Sequence, residues 1–101
     1  MKLYINTADR GKIIVGLGKK RFRSLAKKGA SQRLLPFIDE VLAKEGATFA
    51  QITEIEVNCG PGSFTGLRVG VSVANAIAWA LGIKVNGKDV KKGQMVDIKY
   101  S

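Results

Sequence analysis

The run Cys59-Gly60-Pro61-Gly62-Ser63-Phe64-Thr65-Gly66-Leu67-Arg68 decides the fold. It follows a short β-branched stretch at residues 55–59 and opens an apolar, helix-compatible stretch at 63–81 that Gly82 closes. Strand, glycine corner and helix in that order predict a parallel α/β unit. Gly60 and Gly62 allow backbone angles that other residues resist, and Pro61 stiffens the corner between them. Free N–H groups at the helix start would suit an anion. No Gly-Lys-Ser/Thr follows, so the run is not a P-loop. A phosphate cradle and a plain tight corner are therefore both open readings.

Within the helix, Gly66, Gly70, Ala74 and Ala78 recur every four residues. A glycine inside a helix costs roughly 1 kcal/mol against alanine, so two of them need a reason. Close approach by another backbone is the usual one. That neighbour is either the chain's own first helix or a helix of a partner.

Upstream, residues 2–7, 12–18 and 21–26 read as strands of an antiparallel meander, with Leu3 and Ile5 alternating against Tyr4 and Asn6. Asp9-Arg10-Gly11 is turn chemistry. A first helix is expected from Ser31 as N-cap, with Leu34, Leu35, Ile38, Val41 and Leu42 at helical spacing. Pro36 should start or kink it, Gly46 should end it, and Glu40 and Lys44 form an i, i+4 pair. Residues 83–86 give a last strand. The order β-β-β-α-β-α-β makes a mixed five-stranded sheet with two main helices. In the tail, Val96, Ile98 and Tyr100 alternate with Asp97 and Lys99, which fits a short extra C-terminal strand or a frayed end.

The 101 residues argue for one domain. Four zinc ligands cannot be assembled from one cysteine and no histidine, and the commonest general base is absent. Cys59 reads as a buried inert thiol. No apolar run has the flanks of a signal peptide or reaches the 18 or so residues of a membrane span, which predicts a cytoplasmic protein. The net charge of +9 favours polyanions. Lys19, Lys20, Arg21, Arg23, Lys27 and Lys28 cluster within ten residues, either as an RNA-facing patch or as a solvated strand edge. Phe64 and Trp79 read as core, with interface anchors as the alternative.

The corner resembles the signature of the TsaB (YeaZ) family of the tRNA threonylcarbamoyladenosine machinery. Gly70 after it, Ser31 to Asp39 with its Leu34-Leu35-Pro36, and the exit Leu81-Gly82-Ile83 are similar as well. The resemblance covers roughly residues 2–87. It implies an α/β fold, a single actin-like or hsp70-like ATPase (ribonuclease H-like) lobe at 1–87, with 88–101 as a tail in place of the usual second lobe. It implies an inert subunit with no catalytic residues, no metal and no cofactor, which heterodimerises with the catalytic paralogue TsaD. The ATPase TsaE joins the pair, and tRNA is met through the complex. Pairing runs through both helices, here Leu34, Leu35, Ile38 and Leu42 on the first. On the second it would use Phe64, Gly66, Arg68, Val69, Gly70, Val73, Ala74 and Ile77. Alone, the exposed helix pair is expected to homodimerise.

The chain departs from the family where Asn6 stands in place of an aspartate at the end of the first strand. Asn6 cannot supply the carboxylate that a metal–nucleotide site would want. A small nucleotide-binding protein of the same superfold and a stand-alone basic RNA-binding module are the competing functions. The first rests on the glycine corner, the second on the basic run.

Overall fold

The computed structural model describes residues 1–9, 11–94 and 96–98. Its strands are β1 (Lys2–Asn6), β2 (Lys12–Leu17), β3 (Lys20–Leu25), β4 (Glu54–Val57), β5 (Lys84–Val85) and β6 (Lys88–Asp89). Its helices are α1 (Ala30–Lys44) and α2 (Phe64–Leu81). The six strands form one sheet in the order β3-β2-β1-β4-β5-β6. β1, β2 and β3 are the antiparallel meander, and β1, β4 and β5 run parallel.

The two crossover helices pack against one face of the sheet and against each other. Strand alternation explains why that face takes them. Leu3 and Ile5 pair with Leu17 and Val15 on one side and with Ile55 and Val57 on the other, so these inward positions of β1, β2 and β4 are apolar. All six are buried, together with Ile13 and Val85. Leu34, Ile38, Val41 and Leu42 of α1, and Leu67, Ala74 and Ala78 of α2, fill the space above them. Each such large side chain contributes roughly 1.5–3 kcal/mol on leaving water. The opposite face of the sheet, which carries Lys12, Ile14, Arg21, Arg23 and Glu56, has no helix over it in the described residues.

Several boundaries differ from expectation, each for a local reason. α1 begins at Ala30 with Gly29 as its cap at φ 98°, so Ser31 lies inside the first turn and caps nothing. The helix runs through Pro36 without ending. Gly46 does stop it, in a left-handed conformation at φ 65°. The amides of Ala47 and Gly46 close onto the carbonyls of Leu42 and Ala43 at 2.8 and 3.2 Å. Glu40 pairs with Arg33 two turns back, at 2.6 Å, while Lys44 lies over the Phe22 ring at 5.5 Å. The i, i+4 pair is therefore not formed.

The sixth strand is Lys88–Asp89, where Asn86 and Gly87, at φ 48° and 78°, make a two-residue hairpin. Val96 and Ile98 carry no strand, and Arg10, Lys99 and Tyr100 lie outside the described residues. Residues 90–94 and 96–98 pack instead against α2, burying Val90, Val96 and Ile98. Asn75 of α2 donates from Nδ2 to the Val96 carbonyl at 3.1 Å. α2 itself has 18 residues and a mean hydropathy of 1.3, so one helix does reach the length and composition of a membrane span. Its inner face packs on the sheet.

Candidate partner surface

The glycine corner is closed by the chain itself. The Gly60–Pro61 peptide is cis, and Gly60 takes φ 128°. The Ser63 amide donates to the Ala8 carbonyl at 2.8 Å, and the Gly60 amide donates to Asn58 Oδ1 at 3.0 Å. Ser63 caps α2, its Oγ accepting from the Gly66 amide at 3.5 Å. The Gly60, Ser63 and Gly66 amides are thus turned onto neighbouring protein groups, which favours the tight-corner reading over a phosphate cradle.

The carboxyl ends of β1, β4 and β5 carry three asparagines. Asn6 Oδ1 accepts from the Ala8 amide at 3.0 Å and from Asn58 Nδ2 at 3.1 Å. Asn6 Nδ2 donates to the Tyr4 hydroxyl at 3.1 Å. Asn86 clamps the Val57 backbone, Oδ1 accepting from its N–H at 2.9 Å and Nδ2 donating to its carbonyl at 3.0 Å. The buried Cys59 Sγ lies 3.4 Å from Asn86 Nδ2. An uncharged amide suits this role, because it donates and accepts at once. Here Asn6 serves as a structural tie between strand ends.

The small-residue stripe is also internal. Gly66, Gly70, Ala74 and Ala78 are buried against the sheet. A Cβ on Gly66 would stand 2.2 Å from the Thr7 carbonyl oxygen, and one on Gly70 would stand 2.4 Å from Thr7 Oγ1. Thr7, itself fully buried, donates its hydroxyl to the Gly66 carbonyl. The close approach that the glycines permit is made by the end of β1. Neither α1 nor a foreign helix fills that role, so the expected partner-facing positions Gly66, Gly70 and Ala74 are corrected to core. Leu34, Ile38 and Leu42 of α1 are corrected likewise, at 1%, 0% and 3% exposure.

The remaining expected positions stay accessible, on two sides of α2. Val69, Val73 and Ile77 form a half-buried row four residues apart, and Leu35 of α1 is 50% exposed. Ser31 and Val69 line one open cleft between the helix starts, so this row borders α1. Phe64 and Arg68 lie elsewhere, with the guanidinium 5.6 Å from the ring. Arg68 lines a cleft with Asn75, Val96 and Ile98, on the side of the C-terminal segment. Phe64 at 47% and Trp79 at 55% exposure are surface residues, contrary to the core reading. Lys91 sits 6.0 Å from the Trp79 ring.

The basic cluster divides. Lys20 reaches the helix side and pairs with Glu45 at 2.7 Å. Arg21 turns to the uncovered face, over the Tyr4 ring at 4.4 Å. Lys19, Arg23, Lys27 and Lys28 are exposed, and no carboxylate pairs with them among the described residues. Elsewhere, the hydrogen bond from Lys2 to Glu56 raises the lysine above its ordinary value, and the Arg33 guanidinium holds Glu40 below the usual carboxylate range.

Comparison with known proteins places this geometry in a family. The family described as "TsaD: tRNA N6-adenosine threonylcarbamoyltransferase" matches residues 24–87. The chain is 39% identical over 67 residues to the Haemophilus influenzae tRNA threonylcarbamoyladenosine biosynthesis protein TsaB, covering 66% of this chain and 28% of that one. It is 50% identical over 58 residues to the tRNA N6-adenosine threonylcarbamoyltransferase of Ralstonia pickettii, covering 57% and 17%. YeaZ from Pseudomonas aeruginosa superposes with a TM-score of 0.70 at 25% identity, over 83% of this chain and 41% of that one. The chain therefore spans under a third of the length of these curated relatives. With its sheet order, its Gly60–Arg68 corner and a family match over more than half its length, the chain belongs to the TsaD family and, within it, to the TsaB/YeaZ proteins.

Proposed function

We propose that the chain is a non-catalytic subunit that pairs with a TsaD-type protein and supports threonylcarbamoylation of tRNA. The observation that carries the reading is a set of apolar side chains left incompletely covered on two helices that pack together, Leu35 on α1 and the Val69, Val73 and Ile77 row on α2, together termed the seam. A facing pair of helices would bury it, gaining roughly 25 cal/mol for each Å² of apolar surface removed from water. TsaE would join the assembled pair, and tRNA would be modified by the partner. The non-catalytic assignment draws on two features. Asn6 stands where a carboxylate would be wanted, and its amide is committed to Tyr4, Ala8 and Asn58.

The test is reconstitution of tRNA modification from purified TsaD-type and TsaE-type subunits, with and without this chain. Strong dependence on the chain, together with a stoichiometric complex at micromolar concentration, is the expected result. Separate elution of the two subunits would overturn the reading. A homodimer of the isolated chain, dissolved by adding the TsaD-type subunit, is expected from the same seam.

A further inference from the structure

The net charge is not spread over the molecule. Residues 12–28 carry seven of the 17 Lys and Arg and none of the 8 Asp and Glu, so this short segment holds +7 of the net +9. It comprises β2, β3 and the loop into α1. β3 is an edge strand, and the sheet face beside it carries no helix among the described residues. Lys20 is neutralised by Glu45. Lys12, Lys19, Arg21, Arg23, Lys27 and Lys28 remain, exposed and without a carboxylate partner among the described residues. At roughly 3.4 Å per residue the hairpin is a strip about 20 Å long.

One row across this face is built. Tyr4 of β1 pairs with Gly16 of β2, and Gly16 pairs with Arg21 of β3. Because Gly16 has no side chain, Arg21 folds flat across β2 and lies over the Tyr4 ring. A Cβ on Gly16 would stand 2.5 Å from Arg21 Nη1. The guanidinium is fixed further by donating to the carbonyls of Gly18 and Lys20 at 3.1 and 3.2 Å. Its outer surface faces solvent as an immobilised cationic plane, the kind of platform on which a nucleobase stacks.

We propose that this edge of the sheet is an RNA-binding surface. Lys12, Lys19, Arg23, Lys27 and Lys28 would track phosphates, and the Arg21–Tyr4 stack would receive a base. A strip of cations flanking one fixed stacking plane fits a phosphodiester chain carrying bases. A membrane surface would have no use for the plane. The relatives from Haemophilus influenzae and Ralstonia pickettii are both named for tRNA, which makes RNA the nucleic acid to test. The Arg21–Tyr4 row lies on the uncovered sheet face, away from the α1–α2 seam, so it stands or falls independently of pairing, whereas Lys27 also lines the cleft beside Val69.

The experiment is a titration of bulk tRNA against the chain alone, by fluorescence anisotropy over a range of salt. Arg21→Gln/Arg23→Gln should weaken binding about tenfold and flatten the slope of log affinity against log salt by about one to two. Lys27→Gln/Lys28→Gln should act in the same direction, should the edge-strand pair compromise solubility. Tyr4→Leu should weaken binding about threefold with the salt slope unchanged. Lys88→Gln/Lys92→Gln removes the same charge elsewhere and should change little. Equal losses from the hairpin and tail pairs would overturn the proposal. So would stronger binding to phosphatidylserine vesicles than to tRNA, or no salt-dependent tRNA binding at all. The seam variant Leu35→Glu should bind tRNA as the unaltered chain does, which separates failure here from failure of pairing.

Discussion

Two apolar faces of α2 differ in the size of their side chains and in what they touch. The Gly66–Gly70–Ala74–Ala78 face has the small residues of a helix-docking stripe, yet it is buried in the chain's own core, its glycines against Thr7, just past β1, and Gly70 also against Ile5 of β1. The Val69–Val73–Ile77 face carries larger side chains and is only half covered. The lesson is that small residues mark close approach without saying by what. Incomplete burial of branched apolar residues is the better sign of a foreign surface.

Overfilling the inner face should have the largest effect. Gly66→Val places carbon against the Thr7 carbonyl, where backbone cannot yield, and should cost more than about 3 kcal/mol or prevent folding. Urea denaturation monitored by circular dichroism measures it. A valine variant of normal stability would mean the stripe is open after all. The covered outer side comes next. Val96→Asp puts a charge where the C-terminal segment packs on α2, and should cost about 1–3 kcal/mol by the same assay. An unchanged midpoint would show that this segment adds nothing to the fold. At the seam, Leu35→Glu should shift stability by no more than about 0.5 kcal/mol, since that side chain is half in water already.

The smallest effect belongs to the exposed Arg33–Glu40 pair. Glu40 has a folded pKa below its unfolded value, first because of its hydrogen bond to Arg33. Its contribution is therefore present above the ordinary carboxylate range and lost as pH falls through the lowered folded value. Solvent screens it, so the stability gap between the unaltered chain and Glu40→Gln, which leaves the contacts of Arg33 with Ser24 and Phe37 in place, should be slight at neutral pH and vanish in acid. A gap that widened in acid would contradict the pairing.

Much of the fold was legible in the sequence, because alternation and the glycine corner are local signals. The succession of elements, the meander and both helices follow from them, whereas the order of the strands across the sheet came only with the structure. What escaped depended on contacts between distant residues. The first-turn serine looked like a cap, but Gly29 reaches φ 98° and starts the helix earlier. The Asn86-Gly87 dipeptide was an available hairpin signal, and read as such it places β6 at Lys88–Asp89. The residues expected to face a partner split into buried and exposed halves because helical spacing predicts a face but cannot say which layer lies against it. Gly16 was the overlooked clue on the sheet's open side, since a glycine within a strand signals something crossing over it. The burial of Cys59 was read correctly from its place at the end of an apolar strand.

The account turns on the seam, and a calorimetric titration of the cognate TsaD-type subunit against the chain and its Leu35→Glu variant tests it most directly. The unaltered chain should bind at micromolar affinity or better. The variant should bind at least tenfold more weakly, with its circular dichroism and urea midpoint unchanged. Equal affinity for the two would contradict the seam as the contact, and absence of binding by the unaltered chain would contradict the role itself.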